Sequence, residues 1–142
     1  MTNVELLKEF WQTWEAKGGA GLVERYEEFF TDDAEWRPPM RELTGSHYVG
    51  REGLAQYVRD IARVLDGIEG ELEEVAEIAP DVVRSTVRVH AKAKVSGMTI
   101  DAPMIGITRI RDGRVDLAWA SYDPGAAERA AEAIVHGEQV PG

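Results

Sequence analysis

The chain has 142 residues, 44% hydrophobic and 30% charged, which fits one ordinary globular domain with a core of its own. Sixteen basic against 26 acidic side chains leave a formal charge of −10, which argues against nucleic acid or an anionic membrane as partner, since phosphate binding needs the opposite balance. The absence of cysteine excludes disulfides, thiolate metal sites and a cysteine nucleophile.

The opening MTNVELLKEFW has no basic segment followed by an apolar run, and no stretch approaches the length of a membrane span. A cytoplasmic location without membrane attachment is therefore expected. Thr2 followed by Glu5 forms a capping box that starts a first helix. Val4, Leu7, Trp11 and Trp14 recur at spacings of three and four, so they share a face, and Lys17-Gly18-Gly19-Ala20-Gly21 ends the helix. A second, short helix carries Leu22, Tyr26, Phe29 and Phe30. It stops at Thr31-Asp32-Asp33, where the aspartates read as a solvated turn. Ala34, Trp36 and Pro38 alternate as in a short strand, which the two prolines end or confine to a sheet edge.

A polar loop, 41–50, leads to a third helix over 51–65, with Leu54, Tyr57, Val58, Ile61 and Leu65 repeating and Asp66-Gly67 as its C-cap signal. Residues 69–79 fit a helix or a bulged strand. Over 82–95 the period is two: Val83, Ser85, Val87, Val89, Ala91, Ala93 and Val95 form one face, and Arg84, Thr86, Arg88, His90, Lys92 and Lys94 the other. Ser96-Gly97 and Asp112-Gly113 are hairpin turns on either side of a strand at 99–111. A last strand at 114–123 ends at Pro124-Gly125, and an alanine-rich helix runs to Val135. The tail from His136 to Gly142 reads as frayed. Helices first and a strand meander after them is an α+β order in a single domain, 1–142, with its core over about 4–131.

Three stretches carry a resemblance: FFTDDAEW after two helices, YVGREGLAQYV opening the third, and RIRDGRVDLAWASYD near the end. Together they resemble the SnoaL-like branch of the nuclear-transport-factor-two-like superfamily, which includes ketosteroid isomerases, limonene epoxide hydrolases and polyketide cyclases. The resemblance implies a cone-shaped, curved antiparallel sheet wrapped with its helices around a pocket, an α+β barrel. It also implies homodimers that pair through the outer face of the sheet. The fold hosts enzymes, carriers and docking modules alike, so it does not fix an activity.

Two chemistries of that superfamily can be laid on the chain. The isomerase constellation needs a carboxylate base, a tyrosine and a protonated aspartate around an enolate oxygen. The matching positions here are Pro38, Trp14 or Trp11, and Gly106. The epoxide hydrolase constellation needs an arginine and two aspartates around one water. Its positions fall near Val87, Val89 and Ala120, with Arg88 on the opposite face unless the register slips by one. Neither set of catalytic residues is present.

If the positions matched to the family face its cone, the resemblance implies a pocket lined by Trp14, Trp36, Tyr57, Met104 and Tyr122, suited to a small, largely apolar organic molecule. Trp11, Leu54, Ile61 and Val89 read as core. The function expected is ligand binding, with cofactor-free isomerase, cyclase or dehydratase chemistry as the enzymatic version. In that version a tyrosine hydroxyl or an indole N–H polarises a carbonyl, and His47 or Asp123 moves the proton. The alternatives are a non-catalytic carrier and a dimerising module whose pocket is filled by its own side chains. No metal pattern links the three histidines, and no cofactor is expected. Asp101 is expected to point outward, and Asp123 has a second reading as a helix cap. The basic stripe from Arg84 to Lys94 suits acidic groups of a second copy or a solvated strand face.

Overall fold

The computed structural model describes residues 1–40 and 47–140. In chain order the elements are α1 (Asn3–Glu24), α2 (Tyr26–Phe29), β1 (Phe30–Arg37), β2 (Tyr48–Val49) and α3 (Gly50–Val64). They are followed by β3 (Leu65–Ala79), β4 (Val82–Ala93), β5 (Thr99–Arg111), β6 (Arg114–Ser121) and α4 (Pro124–Val135). The capping box forms: Thr2 Oγ1 accepts from the Glu5 amide and the Thr2 amide donates to Glu5 Oε1, each at 3.1 Å. The glycine run does not end α1 but kinks it. Gly18 sits at φ 67°, ψ −162°, a conformation essentially reserved for glycine, and helix resumes beyond it. Gly19 then lies so close to α3 that an added Cβ would fall 2.6 Å from a Val58 methyl.

The six strands make one curved, unclosed sheet in the order β2-β1-β6-β5-β4-β3. Every pairing is antiparallel except β1 with β6, which run parallel, so the sheet is mixed and open at β2 and β3 rather than a closed antiparallel barrel. The ambiguous stretch 69–79 is strand: it belongs to β3, the long edge partner of β4. Two turn signals proved to be strand irregularities. Asp32 and Asp33 lie inside β1, where the register to β6 shifts between Phe30 and Glu35. Asp66-Gly67 lies at a register shift in β3, with Gly67 at φ +65°, rather than capping α3. At Asp66-Gly67 a pair that favours turns marks the irregularity, because a bulge can use the positive φ that Gly67 supplies.

The sheet has two unlike faces. Toward α1 and α3 it presents Val83, Val87, Val89 and Ala91 of β4, beside a core that includes Leu6, Leu7, Phe10, Phe29, Phe30, Leu54, Tyr57 and Ile61. The alternation expected for β4 holds as far as Ala91; Val95 lies beyond the strand and is fully exposed. Toward the other side, Val82, Ile105, Ile107, Leu117 and Trp119 meet Ala127, Ala130 and Ile134 of α4. The small alanines let α4 lie flat on this outer face. In the tail, His136 to Gln139 are exposed, while Val140 is 8% exposed in the α4 cluster and accepts a hydrogen bond from Arg37 Nη1 at 3.4 Å. Among the described residues, no helix is long and apolar enough to cross a membrane.

Candidate functional site

A cavity of about 80 Å³ opens between α1, α3 and the inner face of the sheet. Taking roughly 10–15 Å³ of such space per water, itself about 30 Å³, it accommodates a molecule of roughly 150–250 Å³, or one to two rings. Trp11 and Trp14 come from α1 and Tyr57 and Ile61 from α3. Trp36, Pro38, Pro39 and Met40 come from β1 and the chain after it, and Met104, Gly106, Ala118, Ala120 and Tyr122 from the β5–β6 side. Gly70 of β3 sits against Trp11: a Cβ there would fall 3.1 Å from the indole ring, so glycine lets the ring lie on the strand. Gly106 likewise leaves room for the Ser85 hydroxyl, which a Cβ would meet at 2.9 Å.

The aromatic wall is continuous. Trp11 and Trp14 are tilted at 6.1 Å, Phe10 stacks with Trp36 at 6.0 Å, and Trp36 meets Tyr57 at 5.6 Å. The indole nitrogens of Trp11, Trp14 and Trp36 are buried and have no hydrogen-bond partner. Burial pushes the Tyr57 phenol well above the usual tyrosine range. The neighbouring Tyr122 adds to the rise, and the nearby Trp36 indole opposes it without reaching hydrogen-bond geometry. Tyr122 is raised as well, by burial alone. Both phenols therefore stay protonated at any physiological pH.

All five residues expected to shape the pocket, Trp14, Trp36, Tyr57, Met104 and Tyr122, line this cavity. The two proton-carrier candidates do not. His47 is exposed, with Nε2 3.6 Å from a Glu35 carboxylate oxygen, and Glu35 stands opposite Leu117 of the outer core. Asp123 is the N-cap of α4, its Oδ1 accepting from the Gly125 amide at 3.0 Å. Among the described residues, none that lines the cavity is Asp, Glu or His. Nor do any His, Asp and Glu side chains there cluster as metal ligands do. Pro38 and Gly106, which stand where the isomerase keeps carboxylates, are both in the wall. Val87 and Arg88 keep the faces that alternation assigns, so no register slip rescues the hydrolase constellation.

Trp11, Ile61 and Val89, all read from the sequence as core, line the cavity as well, and Trp11 is the largest of the three. The available signal was its place three residues before Trp14 on one helix face, together with a glycine in the facing strand. Arg41 to Ser46, within the loop expected to reach the pocket mouth, lie outside the described residues. On the outer face, Asp101 points outward as expected and bonds Arg88 Nε at 3.0 Å, with His90 Nδ1 at 3.4 Å. Glu69 and Glu71 of β3 stand opposite His90 and Arg88. The basic stripe is thus flanked by acidic neighbours of its own chain.

A curved, unclosed sheet folded over helices defines the cone-shaped α+β class of domains. The sequence matches the SnoaL-like domain family over residues 7–117, and the chain belongs to that family. No curated protein matches the sequence. Solved structures of the same shape include an NTF2-like protein of unknown function from Burkholderia pseudomallei, with TM-score 0.73, 16% identity, and 87% of this chain and 92% of that one covered. TerC co-crystallised with polyporic acid superposes with TM-score 0.72 at 20% identity, covering 92% of this chain and 98% of that one. A Catenulispora acidiphila protein with a ketosteroid isomerase-like fold, in complex with trimethylamine, gives TM-score 0.69 at 14% identity, covering 98% and 97%. At these identities the likeness establishes the fold alone.

Proposed function

We propose that the protein binds a small, largely apolar organic molecule in the cone cavity. The observation that carries this reading is a cavity of about 80 Å³ walled by Trp11, Trp14, Trp36, Tyr57, Met104 and Tyr122. A protein interior normally closes such space, because each unfilled void forfeits packing contacts. The open volume favours a ligand site over a module whose pocket is filled by its own side chains. The lack of an ionisable base in the described lining favours a binding or carrier role over proton transfer. In an enzymatic version the tyrosine and indole donors would polarise a carbonyl. His47 or Asp123 would then need to reach the cavity from the outer side of the sheet and the head of α4.

The second copy in this reading docks on the part of the outer face that α4 leaves uncovered, the charged end of β3 and β4. Light scattering at low and high salt tests it: a monomer at both removes the dimer. The ligand reading is tested with prodan, a neutral two-ring naphthalene fluorophore, added to the intact protein. Saturable binding of one dye per chain, tryptophan quenching and a raised Tm are expected, since a ligand that binds only the folded state stabilises it. Met104→Phe, which fills the cavity without adding charge, is expected to weaken the dye at least tenfold. Non-saturable enhancement, or dye affinity equal in Met104→Phe, would sink the reading.

A further inference from the structure

We infer that the free edge of β3 is a docking site for a short extended segment of another protein, one that alternates lysine or arginine with apolar residues. β3 ends the sheet and pairs with β4 alone, so along its other side every second N–H and C=O has no strand to meet. The opposite edge, β2, is two residues long and offers no comparable row. Register shifts between Asp66 and Glu69, Leu72 and Glu74, and Glu77 and Ala79 leave two regular stretches in β3, 69–72 and 74–77. A strand added there is therefore short.

Two independent features say what fits. The first is charge. β3 carries six acidic side chains and no basic one, and all six are exposed. Among the described residues none of them has an ion-pair partner. Arg88 and His90 stand opposite Glu71 and Glu69, yet both turn to Asp101 of β5. A second copy is the wrong occupant, since pairing β3 with β3 would set carboxylates against carboxylates. Charges of either sign keep an edge soluble, but a row of one sign also selects the sign of its partner.

The second feature is an unfinished apolar row. Glu69, Glu71 and Glu74 lie on the outer face, opposite His90, Arg88 and Thr86. Leu72 and Val75 face the helices, opposite Val87 and Ser85. Both are only half-buried at the end of the sheet, and Ile78 further along is 43% exposed. A paired segment covers this row with its own apolar residues, and its alternate side chains set cations beside the glutamates.

The probes are two acetylated, amidated heptapeptides of equal charge, Lys-Val-Lys-Val-Lys-Val-Lys and Lys-Pro-Lys-Pro-Lys-Pro-Lys, titrated into the intact nitrogen-15-labelled protein. The first can add a strand; in the second, proline removes donors and prevents pairing. The valine peptide is expected to bind at least ten times more tightly, shifting the backbone amide resonances of 69–77 and slowing their hydrogen exchange. Glu69→Gln, Glu71→Gln and Glu74→Gln combined are expected to weaken it at least tenfold at an unchanged Tm.

Equal affinity for the two peptides overturns the inference in favour of plain charge attraction. Failure of the valine peptide to bind, shifts confined to residues outside β3, or full affinity in the triple variant overturn it as well. If light scattering gives a dimer and the edge amides of β3 are protected before any peptide is added, a second copy holds the edge and the inference falls.

Discussion

The two faces of the one sheet are built to opposite standards. On the outer face, helix α4 lies on Val82, Ile105, Ile107, Leu117 and Trp119 through alanines, and the packing closes. The charges there are matched: buried Asp116 accepts from Arg109 Nε at 2.7 Å and has Arg111 at 3.7 Å, while Asp101 holds Arg88. On the inner face, larger side chains surround a void, and three indole donors are left without partners. Both faces come from the same strands at alternate residues. The outer face packs without a void, whereas the inner face combines the larger hydrophobic core with a cavity.

Substitutions that act on one face and spare the other would break or sharpen this contrast. The largest effect is expected on the closed side. Ile107→Ala removes a fully buried side chain under α4 and is expected to cost about 2–5 kcal/mol in denaturant unfolding, with dye binding unchanged in the folded protein. A loss under about 1 kcal/mol would mean that α4 is not firmly docked.

Alkaline pH acts next, on the inner side. A phenol whose pKa is raised by folding contributes stability in full below its unfolded value near 10, and that contribution is lost as pH climbs toward the folded value. Tyr57 is expected to withdraw at most about 1.4 kcal/mol per pH unit above 10. Tyrosinate absorbance would lag behind that of free tyrosine until the chain unfolds; a titration superposing on free tyrosine would contradict the buried wall.

Asp116→Asn comes third. It weakens a charge-assisted pair on the outer side, and with Arg109 partly exposed the expected loss is about 1–2 kcal/mol, reduced by added salt. The smallest stability effect is expected at the cavity. Met104→Ala should cost no more than about 1–2 kcal/mol, because it enlarges an existing space, yet it should change ligand affinity more than any outer-face variant. If Met104→Ala proved as costly as Ile107→Ala, the inner face would be a closed core as well.

Much of this architecture was legible from residue patterns. The period-two run through β4 assigned Val87 and Val89 inward and Arg88 outward, and the register bears this out residue by residue. The capping box at Thr2 and Glu5 and the hairpin at Asp112-Gly113 were local signals, and each is present in the fold. Two misreadings share one cause: Gly18-Gly19 and Asp66-Gly67 favour unusual backbone angles, and a sequence does not say whether a turn, a kink or a bulge will use them.

The site divides along the same line. Matching to the family's positions put Trp14, Trp36, Tyr57, Met104 and Tyr122 on inward faces, and local periodicity keeps them there, because which way a side chain points depends on its own strand or helix. Whether those faces meet or stand apart depends on how far α1 lies from the sheet. That distance is set by contacts remote in sequence, such as Gly70 under Trp11 and Val58 against Gly19. So the chain by itself determined the family, the two faces and the aromatic lining. Only the tertiary structure decided that the lining encloses space, that Trp11 belongs to it, and that His47 and Asp123 stand outside it.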